Sequence, residues 1–207
     1  MNNFRIAVQS KGRLAQESMD FLSSLGLFFS PNGRNYIAKC KNSDLEILFI
    51  RDDDIPEYVE GGVADFGIIG ENVLLEKQSQ VLVARKLGFG QCALVIAIPE
   101  NSSLEQLSDL EGERIATSYP NLLRNFLDKE EINAAIIPIQ GSAEIAPSLN
   151  LADAICDLTK TGQTLKENNL KSIATVLESQ AVLIQSPHSR KRNFEKYELL
   201  FADNSRL

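Results

Sequence analysis

Short apolar segments alternate with helical segments along almost the whole chain, and this order limits the possible folds more than any other feature. Strand-like runs at residues 4–8, 45–50 and 66–69 are each followed by a turn and then by helical spacing. The same order recurs after residues 114–117 and 134–139. Such alternation is typical of proteins whose parallel strands are joined by helical crossovers. We therefore expect an α/β fold with mainly parallel sheets.

Two crossings of the chain predict two lobes. The segment Leu87-Gly-Phe-Gly-Gln91 has the composition of a hinge, and a second crossing near residues 172–179 would return the chain to the first lobe. We expect a discontinuous domain I of residues 1–90 plus 176–207, and a domain II of residues 91–175. A hinged cleft between two lobes is a common ligand site.

Charge and composition narrow the function classes. The 207 residues carry a formal net charge of −7, which argues against a nonspecific nucleic-acid binder. The single histidine, His188, argues against a Ser-His-Asp triad, and the dispersed Cys40, Cys92 and Cys156 fit neither a zinc site nor a disulfide framework. No stretch approaches the roughly 20 apolar residues of a membrane span, and the first residues lack a signal-peptide core. We expect a cytoplasmic protein.

The clearest functional signal lies in residues 151–165. An apolar strand ends in Asp157, a hydroxyl-rich loop follows at residues 159–164, and a helical segment begins at Leu165. Backbone N–H groups at a helix start bind anions, and Gly162 lets the backbone approach a ligand closely. A carboxylate at a strand tip suits ribose hydroxyls. The order indicates a site for a phosphorylated ribose; the alternative is an ordinary threonine-rich connection.

This loop resembles the 5-phosphoribosyl 1-diphosphate loop of phosphoribosyltransferases, in which an acidic pair precedes Thr-Gly-x-Thr. Here Cys156-Asp157 replaces the adjacent acidic pair, and the second acid comes earlier in the strand. The predicted donor-binding residues are Asp153, Asp157, Thr159, Lys160, Thr161, Gly162, Gln163 and Thr164.

Basic residues follow the first strands of the chain. Lys11-Gly12-Arg13 comes directly after the first strand, where ligands bind in open α/β sheets. Two cations around a glycine can neutralise phosphate, although an exposed basic turn is the plainer interpretation. Arg51 follows a later strand and precedes three aspartates. Those acids could hold Mg²⁺ with substrate phosphates, but Asp54 also has the form of a helix cap.

Three further segments have structural interpretations, and for one of them a ligand-binding role also stays open. The glycines of residues 61–70 bracket a strand, which favours tight packing over a dinucleotide fingerprint. Ser118 precedes a helix start and favours a cap. Glu144 stands at another junction between a strand and a helix. Its carboxylate could bind ribose or a metal, or it could stabilise the first helical turn through the helix dipole.

Six motifs, taken in order, resemble the ATP phosphoribosyltransferase family, which opens histidine biosynthesis. They are residues 9–14, 51–56, 64–70, 114–120, 141–147 and 153–165. The resemblance covers essentially the whole chain, with Ser10 in place of a common proline and Glu71 in place of a common aspartate. The length is similar to that of the family's short form, which lacks a C-terminal regulatory domain.

The resemblance implies a two-lobed fold like type II periplasmic binding proteins. It implies transfer of the phosphoribosyl group to N1 of ATP with release of diphosphate, and Mg²⁺ as the cofactor. It also implies a homodimer within a hetero-oligomer whose regulatory subunit resembles histidyl-tRNA synthetase, without nucleic acid or membrane. Arg51 is then our candidate for the leaving diphosphate. Arg34, from this or a neighbouring subunit, is a second candidate, and Lys11, Gly12 and Arg13 are candidates for the ATP phosphates.

Two other function classes stay open at this point. A solute-binding or sensor module of the same fold would have no need of a phosphate loop. A phosphoribosyltransferase for another base would share that loop, and only the family resemblance selects ATP.

Overall fold

The chain divides into two compact units in the computed structural model, which describes residues 4–29, 36–188, 197 and 200. Unit 1 comprises Met1–Gly90 and Gln180–Leu207, and unit 2 comprises Gln91–Ser179. The return to unit 1 thus comes at Gln180, whereas the sequence suggested residue 176. The physical reason is that one strand of unit 2 continues unbroken to Ser179.

Strands and helices follow one another along the described chain as the alternation predicts. In order they are β1 (Phe4–Gln9), α1 (Arg13–Ser24), β2 (Ile37–Lys39), β3 (Leu45–Ile50), α2 (Ile55–Glu60), β4 (Phe66–Gly70), α3 (Glu71–Lys77), β5 (Leu82–Lys86), β6 (Cys92–Pro99), β7 (Arg114–Thr117), α4 (Pro120–Lys129), β8 (Ala135–Pro138), β9 (Ala154–Thr159), α5 (Gln163–Glu167), β10 (Leu170–Ser179) and β11 (Ala181–Gln185). Short 3₁₀ turns stand at Asp52–Asp54, Leu107–Leu110, Ala143–Ile145 and Pro147–Leu149.

The sheet of unit 1 has the strand order β2-β3-β1-β4-β11-β5. Strand β1 pairs in parallel with β3 and β4, so the carboxyl ends of these three strands meet at one edge. Gly67 of β4 packs tightly, since a Cβ there would lie 2.8 Å from Ile55 Cγ2 and 3.0 Å from Val59 Cγ2. The structural interpretation of the glycine-rich segment is therefore confirmed.

The sheet of unit 2 has the order β10-β6-β9-β7-β8. Strand β7 pairs in parallel with β8 and β9, and β6 runs antiparallel to β9 and β10. Leu94, Ile115 and Cys156 are fully buried in the core of this unit. The carboxyl ends of β8, β7 and β9 share one edge, and that edge carries the loop of residues 159–164.

The α/β class is confirmed, and both sheets are mixed. Three adjacent strands are parallel in each sheet, β3-β1-β4 in unit 1 and β9-β7-β8 in unit 2, while β2, β5, β6, β10 and β11 add antiparallel pairings. Helical crossovers enforce parallel pairing, whereas strands joined without a helix take the direction that tertiary packing allows. Among the residues that the structure describes, no helix is both long enough and apolar enough to cross a membrane.

The expected capping hydrogen bond of Asp54 is not formed, and a terminal helix is not tested. Asp54 precedes α2 but makes no capping hydrogen bond through its side chain, because the three aspartates form a 3₁₀ turn of their own. The sequence also predicts a terminal helix at residues 194–201, which lie outside the described residues except for Tyr197 and Leu200. Tyr197 is buried and donates a hydrogen bond of 2.6 Å from its hydroxyl to Asp44 Oδ1.

Candidate functional site

Three strand ends are tied together at the carboxyl edge of unit 2. Thr117, at the end of β7, donates from its hydroxyl to the Cys156 carbonyl at 2.7 Å. The next residue, Ser118, accepts from the Gly141 N–H at 3.3 Å. The end of β7 is thereby bonded to β9 on one side and to the segment after β8 on the other. These bonds hold the loops of this edge in a common position.

The donor loop, which we define as residues 159–164, is folded by its own hydroxyls. The Gly162 N–H donates to Thr159 Oγ1 at 2.9 Å, and the Gln163 N–H donates to Thr161 Oγ1 at 3.4 Å. A hydroxyl that accepts one bond still has its own proton to donate. Both threonines can therefore shape the loop and offer a proton to an anion.

Gly162 gives the donor loop an open face. Its φ of 75° lies in the left-handed region, where glycine is strongly favoured. A Cβ at this position would meet no atom within 4 Å, so the space above the glycine is free for a ligand. The sequence-based argument for a close backbone approach at Gly162 is compatible with this geometry.

The helix after the loop differs from the expectation. It begins at Gln163, two residues before Leu165, and has only five residues. Aligned peptide dipoles need length to add up, so α5 contributes little macrodipole. An anion at this loop would be held by the individual N–H groups and hydroxyls of the loop rather than by a helix dipole.

Asp157 lies half-buried near the end of β9, two residues before the donor loop. Its Oδ1 accepts the Leu158 N–H at 2.7 Å, which favours the charged form. Burial raises the pKa of the Asp157 carboxyl, and the negative charge of Glu144 raises it further. Keeping this acid ionised costs free energy, and ligand hydroxyls or a cation would recover part of it.

Asp153 has a different role from the one expected. It accepts two side-chain bonds from Arg114, from Nε at 2.9 Å and from Nη2 at 2.8 Å, and a third bond from the Arg114 backbone N–H at 3.0 Å. It precedes β9, at the opposite end of that strand from the donor loop. Its carboxylate is bonded to Arg114, which argues against the predicted role of Asp153 in donor binding.

The basic residues of unit 1 meet at the carboxyl edge of its sheet. The Ser10 N–H donates to the Ile50 carbonyl at 2.8 Å, which places Lys11-Gly12-Arg13 beside Arg51. Lys11, Arg13 and Arg51 are all exposed. The aspartates after Arg51 include Asp53, whose pKa is raised by burial and by the charge of Asp52. Arg34 lies outside the described residues.

Comparison with known proteins places the chain in a family. Residues 51–203 match the family model described as HisG: ATP phosphoribosyltransferase. An ATP phosphoribosyltransferase of Phocaeicola vulgatus is 45% identical over 196 residues, which cover 95% of this chain and 68% of that protein. One from Bacteroides thetaiotaomicron is 44% identical over 97% of this chain and 71% of its own length.

The chain belongs to the ATP phosphoribosyltransferase family. The chain spans about two thirds of the length of these curated relatives, with coverage from 64% to 71%. Among solved structures, the ATP phosphoribosyl transferase (HisG:HisZ) complex from Thermotoga maritima matches with a TM-score of 0.79 and 31% identity, over 94% of this chain and 92% of that one.

The periplasmic-binding-protein-like fold is also confirmed by comparison. A substrate-binding protein of an amino acid ABC transporter matches with a TM-score of 0.60 over 96% of this chain and 89% of its own. The sulphonate-binding protein SsuA of Escherichia coli matches with a TM-score of 0.62 over 97% and 66%. At identities of 13% and 16%, these two matches show a similar fold and nothing about function.

Sequence reasoning missed Thr117, which shapes the site, and Arg114, which pairs with Asp153 at the other end of β9. Thr117 is a buried threonine at a strand end. The sequence feature that could have identified it is its position directly before Ser118. Arg114 was seen only as part of a motif, because its partner Asp153 is 39 residues away and has no local pattern in common with it.

The Arg114–Asp153 pair predicts an acid-dependent stability that is separate from donor binding. Arg114 lowers the pKa of Asp153 from its ordinary value of 3.8 to about 2, so the stabilisation is present above pH 4 and is lost as the pH falls towards 2. Asp153→Asn should lower the melting temperature at pH 7 by about 2–4 °C, and the difference should shrink below pH 3. Calorimetric melting from pH 7 to pH 2 measures both effects.

The same variant also checks the reassignment of Asp153. Folded Asp153→Asn should retain a wild-type KM for 5-phosphoribosyl 1-diphosphate. The matched control is Asp128→Asn, which removes an exposed carboxylate of the same unit and should leave the melting temperature unchanged. A large rise in the donor KM would return Asp153 to the binding site.

Proposed function

We propose that this chain transfers the 5-phosphoribosyl group from 5-phosphoribosyl 1-diphosphate to N1 of ATP and releases diphosphate, the first step of histidine biosynthesis. Membership of the ATP phosphoribosyltransferase family supports this activity. The observation that carries it is the donor loop: a half-buried carboxylate at a strand end, followed by a self-folded threonine loop with an open glycine. Such a loop suits a phosphorylated ribose.

In this proposal the donor loop binds the 5-phosphate. The hydroxyl protons of Thr159, Thr161 and Thr164 and the loop N–H groups are donors for phosphate oxygens, and the exposed Lys160 adds a positive charge. Gln163 begins the helix that holds the loop. Asp157 accepts from the ribose hydroxyls. Those bonds favour the charged carboxylate, which burial and Glu144 disfavour in the free protein.

The chemistry demands positioning and charge stabilisation more than proton transfer. Adenine N1 is a neutral nucleophile, and the anomeric carbon gains oxocarbenium character as its bond to diphosphate breaks. The protein must align the two reactants and stabilise the charge on the leaving group. We assign that charge to Arg51, with Arg34 as a second candidate, and the ATP phosphates to Lys11, the backbone at Gly12, and Arg13.

We propose that Mg²⁺ binds together with the substrate diphosphate. Mg²⁺ commonly uses one or two carboxylates plus substrate phosphates. Asp157 and Glu144 fit this, because their charges interact beside the donor loop. Within the described ranges, no three His, Cys, Asp or Glu side chains group into a dedicated metal site. When bound, the metal would neutralise charge on the leaving diphosphate.

We also propose a regulatory partner subunit. The Thermotoga maritima structure is titled as a HisG:HisZ complex and is similar over most of this chain. On that similarity, and on the family resemblance of the motifs, we expect a homodimer of this chain to assemble with a synthetase-like subunit. The reaction consumes ATP, so we place it in the cytoplasm.

Direct reconstitution tests the proposed activity. Mixing the chain with ATP, 5-phosphoribosyl 1-diphosphate and Mg²⁺ should form a new ultraviolet-absorbing adduct and release one diphosphate per adduct, and the synthetase-like subunit should raise the rate. Orotate, free adenine and hypoxanthine serve as competing acceptors. Diphosphate release with one of these, and none with ATP, would identify a phosphoribosyltransferase for another base.

The donor loop can be tested by binding. Thr161→Val with Gly162→Ala removes a hydroxyl donor, strains a left-handed position and fills the open space above the loop. Loss of a hydrogen bond to a charged group costs about 1.5–3 kcal/mol, so affinity for the donor should fall about tenfold or more. Calorimetric titration measures it, and affinity for ATP should change little. The control is Thr175→Val, an exposed threonine of β10; unchanged donor affinity in the loop variant would contradict the assignment.

Arg51 is expected to act on the rate more than on binding. The charge that it stabilises grows in the transition state, so Arg51→Ala should lower kcat by about 100-fold and change either KM much less. Arg51→Lys should restore only part, because it lacks the bidentate fork. Lys129→Ala, which removes an exposed cation from the end of α4, is the control. Steady-state kinetics decide, and a wild-type kcat in Arg51→Ala would make Arg51 an ordinary surface residue.

A further inference from the structure

Two charged side chains of unit 1 each bury a polar atom that lacks a partner. In the part of the chain that the structure describes, the buried side-chain atoms without a hydrogen bond are Glu17 Oε2 and Arg85 Nη1. One belongs to an acid and the other to a base. A buried polar atom without a bond costs free energy that a new partner would recover.

Both side chains belong to the region where α1 packs against residues 85–90. The Arg85 guanidinium carbon is 5.3 Å from the centre of the Phe21 ring. Glu17 stands one turn before Phe21 on α1, so the two share a helix face. Leu14, a further turn back, packs against Gly90, where a Cβ would lie 3.1 Å from Leu14 Cδ1. This face of α1 therefore runs along residues 85–90, with Glu17 between its two contacts.

Glu17 also faces Arg13 on the other side. Its Oε1 lies 3.9 Å from Arg13 Nε, which is an ionic contact but too long for a hydrogen bond. The Arg13 side chain is 55% exposed, so this contact holds it weakly. Glu17 thus has one oxygen loosely paired with Arg13 and another buried without a hydrogen bond, on the helix face that also carries Phe21 under the Arg85 guanidinium.

We propose that Glu17 is a positioning residue for Arg13 and exchanges it for Arg85 when ATP binds. The proposal rests on the proposed role of Arg13 at the ATP phosphates. As Arg13 turns to a phosphate, the Glu17 carboxylate pairs with Arg85, whose guanidinium is already held over Phe21. The two unpartnered atoms become each other's partners. The new pair offsets the lost Arg13 contact and so favours the ATP-bound arrangement.

A double-mutant cycle on the KM for ATP tests the exchange. Arg85→Met should raise that KM about three- to tenfold with kcat unchanged, because Glu17 is then left unpaired in the bound state. In a Glu17→Gln background the same substitution should change the KM less than about twofold, since no charge needs a partner. Arg85→Lys keeps the charge and should recover most of the loss. If Arg85→Met fails to fold, Arg85→Gln, which also removes the charge, carries the cycle in both backgrounds.

A neighbouring charge provides the control. Lys86→Met removes a cation from the same strand, where Lys86 Nζ pairs with Glu71 Oε2 at 3.1 Å, and the KM for ATP should not change. Equal KM increases in both Glu17 backgrounds, or none in either, would overturn the exchange. Melting curves without ATP identify a purely structural pair, which would show the same coupling there. Arg13→Met with a wild-type KM for ATP would instead refute the proposed role of Arg13.

Discussion

The register of three parallel strands holds the candidate donor site together. In unit 2, Thr117 of β7 lies opposite Cys156 of β9 and Pro138 of β8, so the loops that follow the three strands start from one edge. The buried hydroxyl of Thr117 strengthens this register by donating to the Cys156 carbonyl. A shift of one residue would turn Asp157 and the donor loop to the other face of the sheet. The site therefore depends on a pairing that no residue of the loop controls.

The donor loop is already folded in the free protein, and this has an energetic consequence. Two of its N–H groups are bonded to the Thr159 and Thr161 hydroxyls, so little of its backbone has to be ordered when a phosphate binds. The free-energy cost of the unliganded site is concentrated at Asp157, whose charged form is disfavoured by burial and by the charge of Glu144. The backbone of such a site is ordered in advance, but its buried charge lacks a partner. The site is therefore stabilised only when a suitable ligand binds. These two properties are expected of a site that binds a polyanionic sugar together with a metal ion.

Sequence reasoning reached the fold class, the family and most strand positions, because periodicity and motif order are local properties. It grouped Asp153 with the donor site, whereas the structure pairs it with Arg114, and it placed the start of α5 two residues too late. Asp153 is four residues from Asp157 and looked like part of one acidic set, but its position before the strand turns it to Arg114, 39 residues away. The helix after the loop was expected to begin at Leu165, yet it begins at Gln163 and ends after five residues. Neither fact has a signal within the segment itself.

The sequence by itself determined that the chain alternates strands and helices, that a glycine interrupts a threonine-rich loop after an acid, and that its motifs follow the order of one family. These follow from residue spacing along the chain, which needs no knowledge of long-range contacts. The tertiary structure decided the antiparallel pairings of both sheets, the ion pair between Arg114 and Asp153, and the two buried polar atoms of Glu17 and Arg85 that lack a hydrogen bond. Each of these joins residues far apart in the chain, and their energies depend on burial and distance, which exist only in the folded protein.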